Sequence, residues 1–355
     1  MQVKIPSFRP DLSREVDLIE EIARIDGFDK VGTVFPVAVV RPVRIAVRQK
    51  IIKKMREVLC CTGFSETVHY SFIENAHAEE FKMAFALEQD QMIVLKNPLS
   101  SENDTMRTSL IPGLLKTAAL NLSKGQKPLK LFELGSVYFS NSNEKRTEKA
   151  VLSAILLGQY ELTPWKPRGK EYDFYDLKGT LETLAEHLHL KLEISPGGKS
   201  FLMPGKSVRV HVNDIELGYL AQVDPEQKLV HEIGQNVYAL ELDLGALENA
   251  ISSSLQFQKI AKFPETYRDI SILVDRQVTS EQVTGLILKT GSPLIQKVEL
   301  YDHFEGKKIQ ADKKSFTFAL SFQSVERTLS DEEVTPLFER IIKTLESELS
   351  ASLRA

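Results

Sequence analysis

Residues 269–275 read DISILVD, and residues 315–322 read SFTFALSF. Both alternate. Ile270, Ile272 and Val274 fall on one side of the first; Phe316, Phe318, Leu320 and Phe322 fall on one side of the second, with Ser315, Thr317 and Ser321 opposite. A period of two is the pattern of a strand with one buried face. Between them, Thr279 and Gln282 form a capping box that opens a helix over SEQVTGLILKTG. LIQKVELYDHF then reads as a second strand, joined to SFTFALSF through EGKKIQADKK. Ser330 and Glu333 form another capping box, opening a helix from about Asp331 to Leu349. The order β-α-β-β-α, with a short tail able to add a last strand, is the split βαβ of a ferredoxin-like fold. Two helices on one face of a four-stranded sheet leave its other face open to bind something, and fold alone does not say what.

Working outward, the chain of 355 residues carries a formal net charge of −4, with 42% hydrophobic and 26% charged residues. That is ordinary globular composition, and the length suits two or three domains. No window approaches the ~20 apolar residues of a membrane span, and the start lacks an apolar signal core. Cys60 and Cys61 are adjacent, which suits neither a disulfide framework nor a zinc site; a reducing cytoplasm is expected. The slightly acidic balance excludes wholesale coating by nucleic acid, so any RNA contact has to come from a local patch.

Residues 43–252, ahead of the block at 255–355, mix helices and strands. RIAVRQKIIKKMREVLCCTGF reads as a helix with Ile51, Met55, Val58 and Leu59 on one face and a stop at Gly63. SETVHYSF reads as a strand. RTSLIPGLLKTAALNLS reads as a helix capped at Ser109, with Pro112 in its first turn and Leu114, Leu115, Ala118 and Leu122 as its buried stripe. KLFELGSVYF, VLSAILLG and NVYALELDL read as strands, and KSVRVHVNDIELGYLAQV as a hairpin turning at Asn213–Asp214. Leu177, Leu181, Leu184 and Leu188 mark a further helix. The class is α+β, with a largely antiparallel sheet. Residues 1–42 are too few for a domain of their own, and strand-like QVKIPSF directly after Met1 suggests a fragment that begins partway into one.

Seven strings together carry a resemblance: IPSFRPDLSREVDLIEEIARIDGFDKV, NPLSSENDTMRTSLIPGLL, LFELGSVYF, DFYDLKG, FPETYRDISILVD, GKKIQADKKSFTFALSFQSVERTLSDEEV and the closing LRA. In this order they resemble the C-terminal half of the bacterial phenylalanine–tRNA ligase β subunit. The resemblance implies that 1–42 end a preceding helical domain, that 43–252 are a catalytically silent class II synthetase-like core, and that 255–355 are a ferredoxin-fold anticodon-binding domain. It implies a cytoplasmic α2β2 heterotetramer in which the α subunit binds phenylalanine and ATP and performs the charging of tRNA for phenylalanine. ATP is not expected on this chain. The family's upstream OB-fold and editing domains have no counterpart here, so proofreading is not expected either.

Three sets of residues bear on chemistry. A class II synthetase uses an arginine in an F-R-x-E strand, because a fixed guanidinium stabilises charge gathering on the α-phosphate. Here Glu133 is present, but the arginine position is Leu131, and no late Gly-x-Gly-x-x-Arg follows. Arg107, ahead of a helix start, reads as a structural arginine paired with a neighbouring acid rather than as a ligand. The basic helix from Arg44 to Arg56 reads as a solvated or partner-facing surface rather than an RNA site.

Asp17, Glu20 and Glu21 share one helical face, with Leu18, Ile22 and Ile25 on another, and Asp11 sits near the helix start, placed to cap it or fold back. Spacing alone favours a hydrated acidic face, since early acids complement the helix dipole. The resemblance shifts that reading, because the family places Mg²⁺ ligands at positions matching Asp11, Asp17, Glu20 and Glu21, near the α subunit. Carboxylate oxygens without sulfur or imidazole suit such a hard cation. For RNA, stacking aromatics and cations are needed. Tyr267, Tyr301 and Phe304 are the candidate aromatics; Arg268, Lys307, Lys308 and Arg327, with Lys313 and Lys314, are the candidate cations. The alternative reading is an independent class II-like amino-acid adenylating enzyme, which needs an arginine pair for ATP. A plain scaffold that binds no RNA is the third.

Overall fold

The computed structural model describes residues 2–37, 44–81, 91–140, 145–160, 169–251, 260–306, 309–310 and 312–354, without the side chains of 228 and 231. The chain divides into two compact units, Met1–Ser253 and Ser254–Ala355.

The first unit begins with α1 (Glu15–Asp26), none of whose residues is buried. α2 (Val47–Cys61) follows, burying the expected Ile51, Met55, Val58 and Leu59. The strand expected over SETVHYSF is absent as such. Only β1 (Ser65–Glu66) and β2 (Phe72–Ile73) form, with residues 67–71 between them outside any strand and a bend at Ser71. α3 (Asn75–Glu80) and β3 (Thr105–Met106) lead into α4 (Ile111–Ser123). The N-cap of α4 is Leu110, one residue later than expected; Ser109 still accepts the Ile111 N–H (3.1 Å) but its hydroxyl is committed elsewhere.

β4 (Leu129–Ser140) and β5 (Arg146–Leu157) then pair over their full length. α5 (Phe174–His187), β6 (Glu193–Pro196), β7 (Leu202–Val212), β8 (Ile215–Val223), α6 (Lys228–Ile233), β9 (Val237–Asp243) and α7 (Leu244–Ala250) complete the unit. The hairpin turns at Asn213 and Asp214 as expected, with Asn213 at φ 52. α6 and α7 are too short for periodicity to have announced them.

Seven strands order as β1-β4-β5-β9-β8-β7-β6. All neighbours are antiparallel except β1 and β4, which run parallel. Because successive side chains point to opposite faces, Phe132 and Leu131 enter different cores. Phe132 joins Met55, Leu59, Leu177, Leu181 and Leu247 beneath α2, α5 and α7. Leu131 joins Ile111, Leu114, Leu115 and Ala118 of α4, with Phe81 and Phe201. The sheet is therefore covered on both faces, which accounts for the unbroken apolar run at the end of β5.

The second unit runs β10 (Thr266–Asp275), α8 (Ser280–Gly291), β11 (Ile295–Phe304), β12 (Lys313–Phe322), α9 (Asp331–Leu349) and β13 (Ser352–Leu353). The sheet order is β11-β12-β10-β13, antiparallel throughout, so the tail does add the last strand. Both capping boxes form. Ile270, Ile272, Val274, Phe316, Phe318, Leu320 and Phe322 pack against Val283, Ile287, Val334 and Ile341 of the two helices. On the other face Ser315 and Ser321 are buried rather than open, because Arg354 donates to Ser315 (3.1 Å) and Glu265 accepts from Ser321.

Phe318 is fully buried at the centre of this core. Phe318→Ala is expected to cost about 3–5 kcal/mol of the second unit's stability. Urea unfolding of the full chain, followed by hydrogen exchange in β10 and β12, measures it; a loss below about 1 kcal/mol contradicts the packing described.

Candidate functional site

The segment 107–111 lies against β4 and β9 and is fixed there by two carboxylates. Arg107 is buried. Its Nη1 donates to Glu133 Oε1 (2.8 Å) and its Nε to the Ser136 carbonyl (2.8 Å). Glu133 also bonds His69 Nδ1 through Oε2 (2.5 Å), and His69 Nε2 meets the Thr117 hydroxyl on α4 (2.7 Å). Burial acts to raise the Glu133 carboxyl, but His69 and Arg107 outweigh it and hold the group below its ordinary value. Two glycines make room for this cluster. A Cβ on Gly135 would stand 2.5 Å from Arg107 Nη2, and one on Gly113 would stand 2.8 Å from the His69 ring.

The second carboxylate, Glu241, is fully buried on β9. It accepts from Ser153 (2.6 Å), Ser109 (2.9 Å), the Leu110 N–H (3.0 Å) and Tyr219 (3.0 Å). Burial raises its carboxyl, and those donors only partly offset the rise. Sequence reading passed over Glu241 and His69. A signal existed: a glutamate at the centre of YALELDL, inside an apolar run, needs donors from its neighbours. Arg107 occupies the structural role expected of it.

Leu131 stands in the apolar core under α4, and Arg107 is bound to Glu133. Oxygen and nitrogen groups here satisfy one another.

The four acids expected to hold a metal, Asp11, Asp17, Glu20 and Glu21, differ in their partners. Asp11 pairs with Arg9 (2.7 Å), and Glu21 with both Arg9 (2.7 Å) and Arg24 (2.7 Å). Those hydrogen bonds lower Glu21 to about 2 and lower Asp11 as well. Asp17, not Asp11, caps the helix, accepting the Ser13 and Arg14 N–H groups (2.9 and 2.7 Å). Glu20 is exposed. In this arrangement the Arg9 guanidinium sits between Asp11 and Glu21, so a cation shared by the four acids would have to displace it. Among the described residues no group of three or more His, Cys, Asp or Glu is placed to hold one. Ile22 and Ile25 on the other face of α1 are exposed.

In the second unit, Tyr267 and Asp269 alternate onto the face of the sheet away from the helices, and burial together with the Asp269 carboxylate raises the Tyr301 hydroxyl. Both tyrosines are largely exposed, 63% and 58%. Arg268 points the other way, paired with Asp331 at the start of α9, so the structure separates it from the tyrosines. Arg327 is exposed and bonds Glu333 (2.5 Å). Lys307 and Lys308 lie outside the described residues. Lys313 reaches toward Asp275 (3.8 Å), and Lys314 lies over the Phe316 ring (4.9 Å).

Three family models match the chain, and each describes a domain of the tRNA synthetases or their anticodon-binding parts. Residues 1–28 match the tRNA synthetase B5 domain, 32–244 the phenylalanyl tRNA synthetase beta chain CLM domain, and 261–354 the ferredoxin-fold anticodon binding domain. These matches define the class as a tRNA-synthetase-type chain. With the CLM match spanning well over half of its residues, the chain belongs to the phenylalanyl-tRNA synthetase β chain family.

Among curated relatives, the phenylalanine–tRNA ligase beta subunit of Syntrophotalea carbinolica is 33% identical over 99% of this chain and 44% of its own length. That of Syntrophus aciditrophicus is 31% identical, again over 99% and 44%. That of Carboxydothermus hydrogenoformans is 33% identical with the same coverage. The chain thus spans less than half the length of these relatives. A solved pyrrolysyl-tRNA synthetase from Desulfitobacterium hafniense is 19% identical, covering 59% of this chain and 74% of its own, with a TM-score of 0.43. No described helix is long and apolar enough to cross a membrane.

A carboxyl held below its ordinary value contributes stability above about pH 4.3 and loses it as pH falls through the folded value. Glu133 is therefore expected to contribute to the acid limb of the stability profile. Glu241, raised, has the opposite sign and contributes stability that is lost as pH rises through its folded value. Glu133→Gln is expected to flatten the acid limb and to cost about 3–5 kcal/mol near neutrality, since Arg107 stays buried without a counter-charge. Unfolding curves of wild type and variant from about pH 3 to 7 decide it; parallel curves contradict the assignment.

Proposed function

We propose that this chain is the noncatalytic, tRNA-binding and assembly portion of a phenylalanine–tRNA ligase β subunit, working in the cytoplasm. The observation that carries the reading is Leu131, packed under α4 where adenylation chemistry needs an arginine facing substrate. Support for a class II-like core comes from β1 running parallel to β4 at the edge of an otherwise antiparallel sheet. In this reading residues 1–42, 43–252 and 255–355 are the end of a helical domain, the silent core and the anticodon-binding domain. The α subunit, in an α2β2 complex, binds phenylalanine and ATP and charges the tRNA.

Assembly is supported by surface that the first unit leaves uncovered. Val68 and Tyr70, beyond β1, are 87% and 82% exposed. An edge bearing apolar side chains is an association site unless something covers it. We take the α subunit as its cover. The Mg²⁺ expected at Asp11, Asp17, Glu20 and Glu21 belongs to the same proposal, and it requires Arg9 to leave Asp11 and Glu21. Arg9→Ala is then expected to tighten Mg²⁺ binding in calorimetry. If neither wild type nor variant takes up the ion, the metal reading fails.

RNA binding is placed on the face carrying Tyr267 and Tyr301, because unpaired bases stack on exposed aromatic rings. Each such stack contributes about 1–3 kcal/mol. Tyr301→Ala is expected to weaken binding of tRNA for phenylalanine about 5- to 100-fold, with a smaller effect on an unrelated tRNA. A salt series on the purified chain separates phosphate contacts from stacking, since only the former change the slope. Equal affinity for both tRNAs would leave the scaffold reading. Amino-acid-dependent pyrophosphate exchange by this chain alone would establish the adenylating enzyme instead.

A further inference from the structure

Residues 67–71 are held without a strand ladder. Thr67 donates its N–H to the Phe132 carbonyl (2.8 Å), and the Ser71 carbonyl accepts from the Arg107 N–H (2.9 Å). The middle of the segment is held by a side chain. His69 points inward, with Nδ1 on Glu133 (2.5 Å) and Nε2 on Thr117 (2.7 Å), while Arg107 Nη1 reaches the His69 carbonyl (3.4 Å). With Glu133 ionised, the Nδ1–H donates to the carboxylate, which leaves Nε2 as an acceptor for the Thr117 hydroxyl.

The outward residues of the same segment bury almost nothing. Val68 and Tyr70 point away, and among the described residues neither backbone makes a hydrogen bond. The segment is thus tied down by groups on its inner side, while its outer side presents the Val68 and Tyr70 side chains. Such an edge suits an extended strand supplied by another chain.

We propose that Glu133, acting through His69 and braced by Thr117, is a positioning residue that sets the shape of this edge and thereby the affinity for the α subunit. The proposal rests on the assembly reading above. Glu133 is itself buried, and it holds the middle of the segment through the His69 ring and the His69 N–H (3.4 Å). Gly113 belongs to the device, since any larger residue would push the His69 ring from its place on α4.

The test uses the full chain and a purified phenylalanine–tRNA ligase α subunit. Thr117→Val keeps the volume of the side chain but removes the hydroxyl. It is expected to weaken association about tenfold and to speed amide exchange at 67–71, with exchange in β12 unchanged. Tyr70→Ser alters only the outer surface and is expected to weaken association as well. In the double variant the loss is expected to fall short of the product of the two, because both act through one edge; independent structural damage gives the full product. His69→Ala should behave like Thr117→Val, and His69→Gln should restore part of the affinity by donating an amide N–H to Glu133. If wild type associates and Thr117→Val associates equally well, the inference is wrong while the assembly reading stands. If wild type does not associate at all, both fall.

Discussion

The first unit depends on two buried carboxylates acting on one short segment. Glu133 takes Arg107, and Glu241 takes Ser109 and the Leu110 N–H, so residues 107–110 are tied to β4 and to β9. Neither acid is tolerable in the interior without these donors. Neither would α4 be directed onto the sheet without the acids, because its N-terminus starts from the segment they hold. The buried polar groups here are matched across elements far apart in sequence, which is how a polar network specifies one arrangement of an otherwise greasy interface.

The sheet organised in this way has no vacant face. α2, α5 and α7 cover one side, while α4 and α6 cover the other with Phe81 and Phe201 filling between. The second unit is built the other way. Its helices share one side, and its other side keeps two tyrosines in solvent, partly closed by Glu265 and by the Arg354 tail. One sheet is packed on both faces by helices and the other on one face.

Much of the second unit was legible because its rules are local. Two capping boxes, a period of two and a short turn-rich connection determine element type within a few residues, and tertiary contacts had only to agree. The first unit was legible in its long helices and strands but not at SETVHYSF, where the alternation is real yet the ladder is replaced by His69 reaching into the core. Nor could spacing reveal that Arg268 faces α9, since a strand residue's side is set by register, and Asp331 captures it from 63 positions away. The acids of α1 share a face as read, but Arg9, outside the helix, answers Glu21 there together with Asp11 ahead of it.

Leu131 has a consequence for what this chain can become. An arginine placed there would enter an apolar core with Glu133 already engaged, so it would meet neither solvent nor a free counter-charge. Gaining nucleotide chemistry would further require α4 to vacate the face, and α4 is held by residues that also hold the sheet edge. The packing therefore resists a charged residue at 131, and the contacts that seat α4 are the same ones that hold the sheet edge.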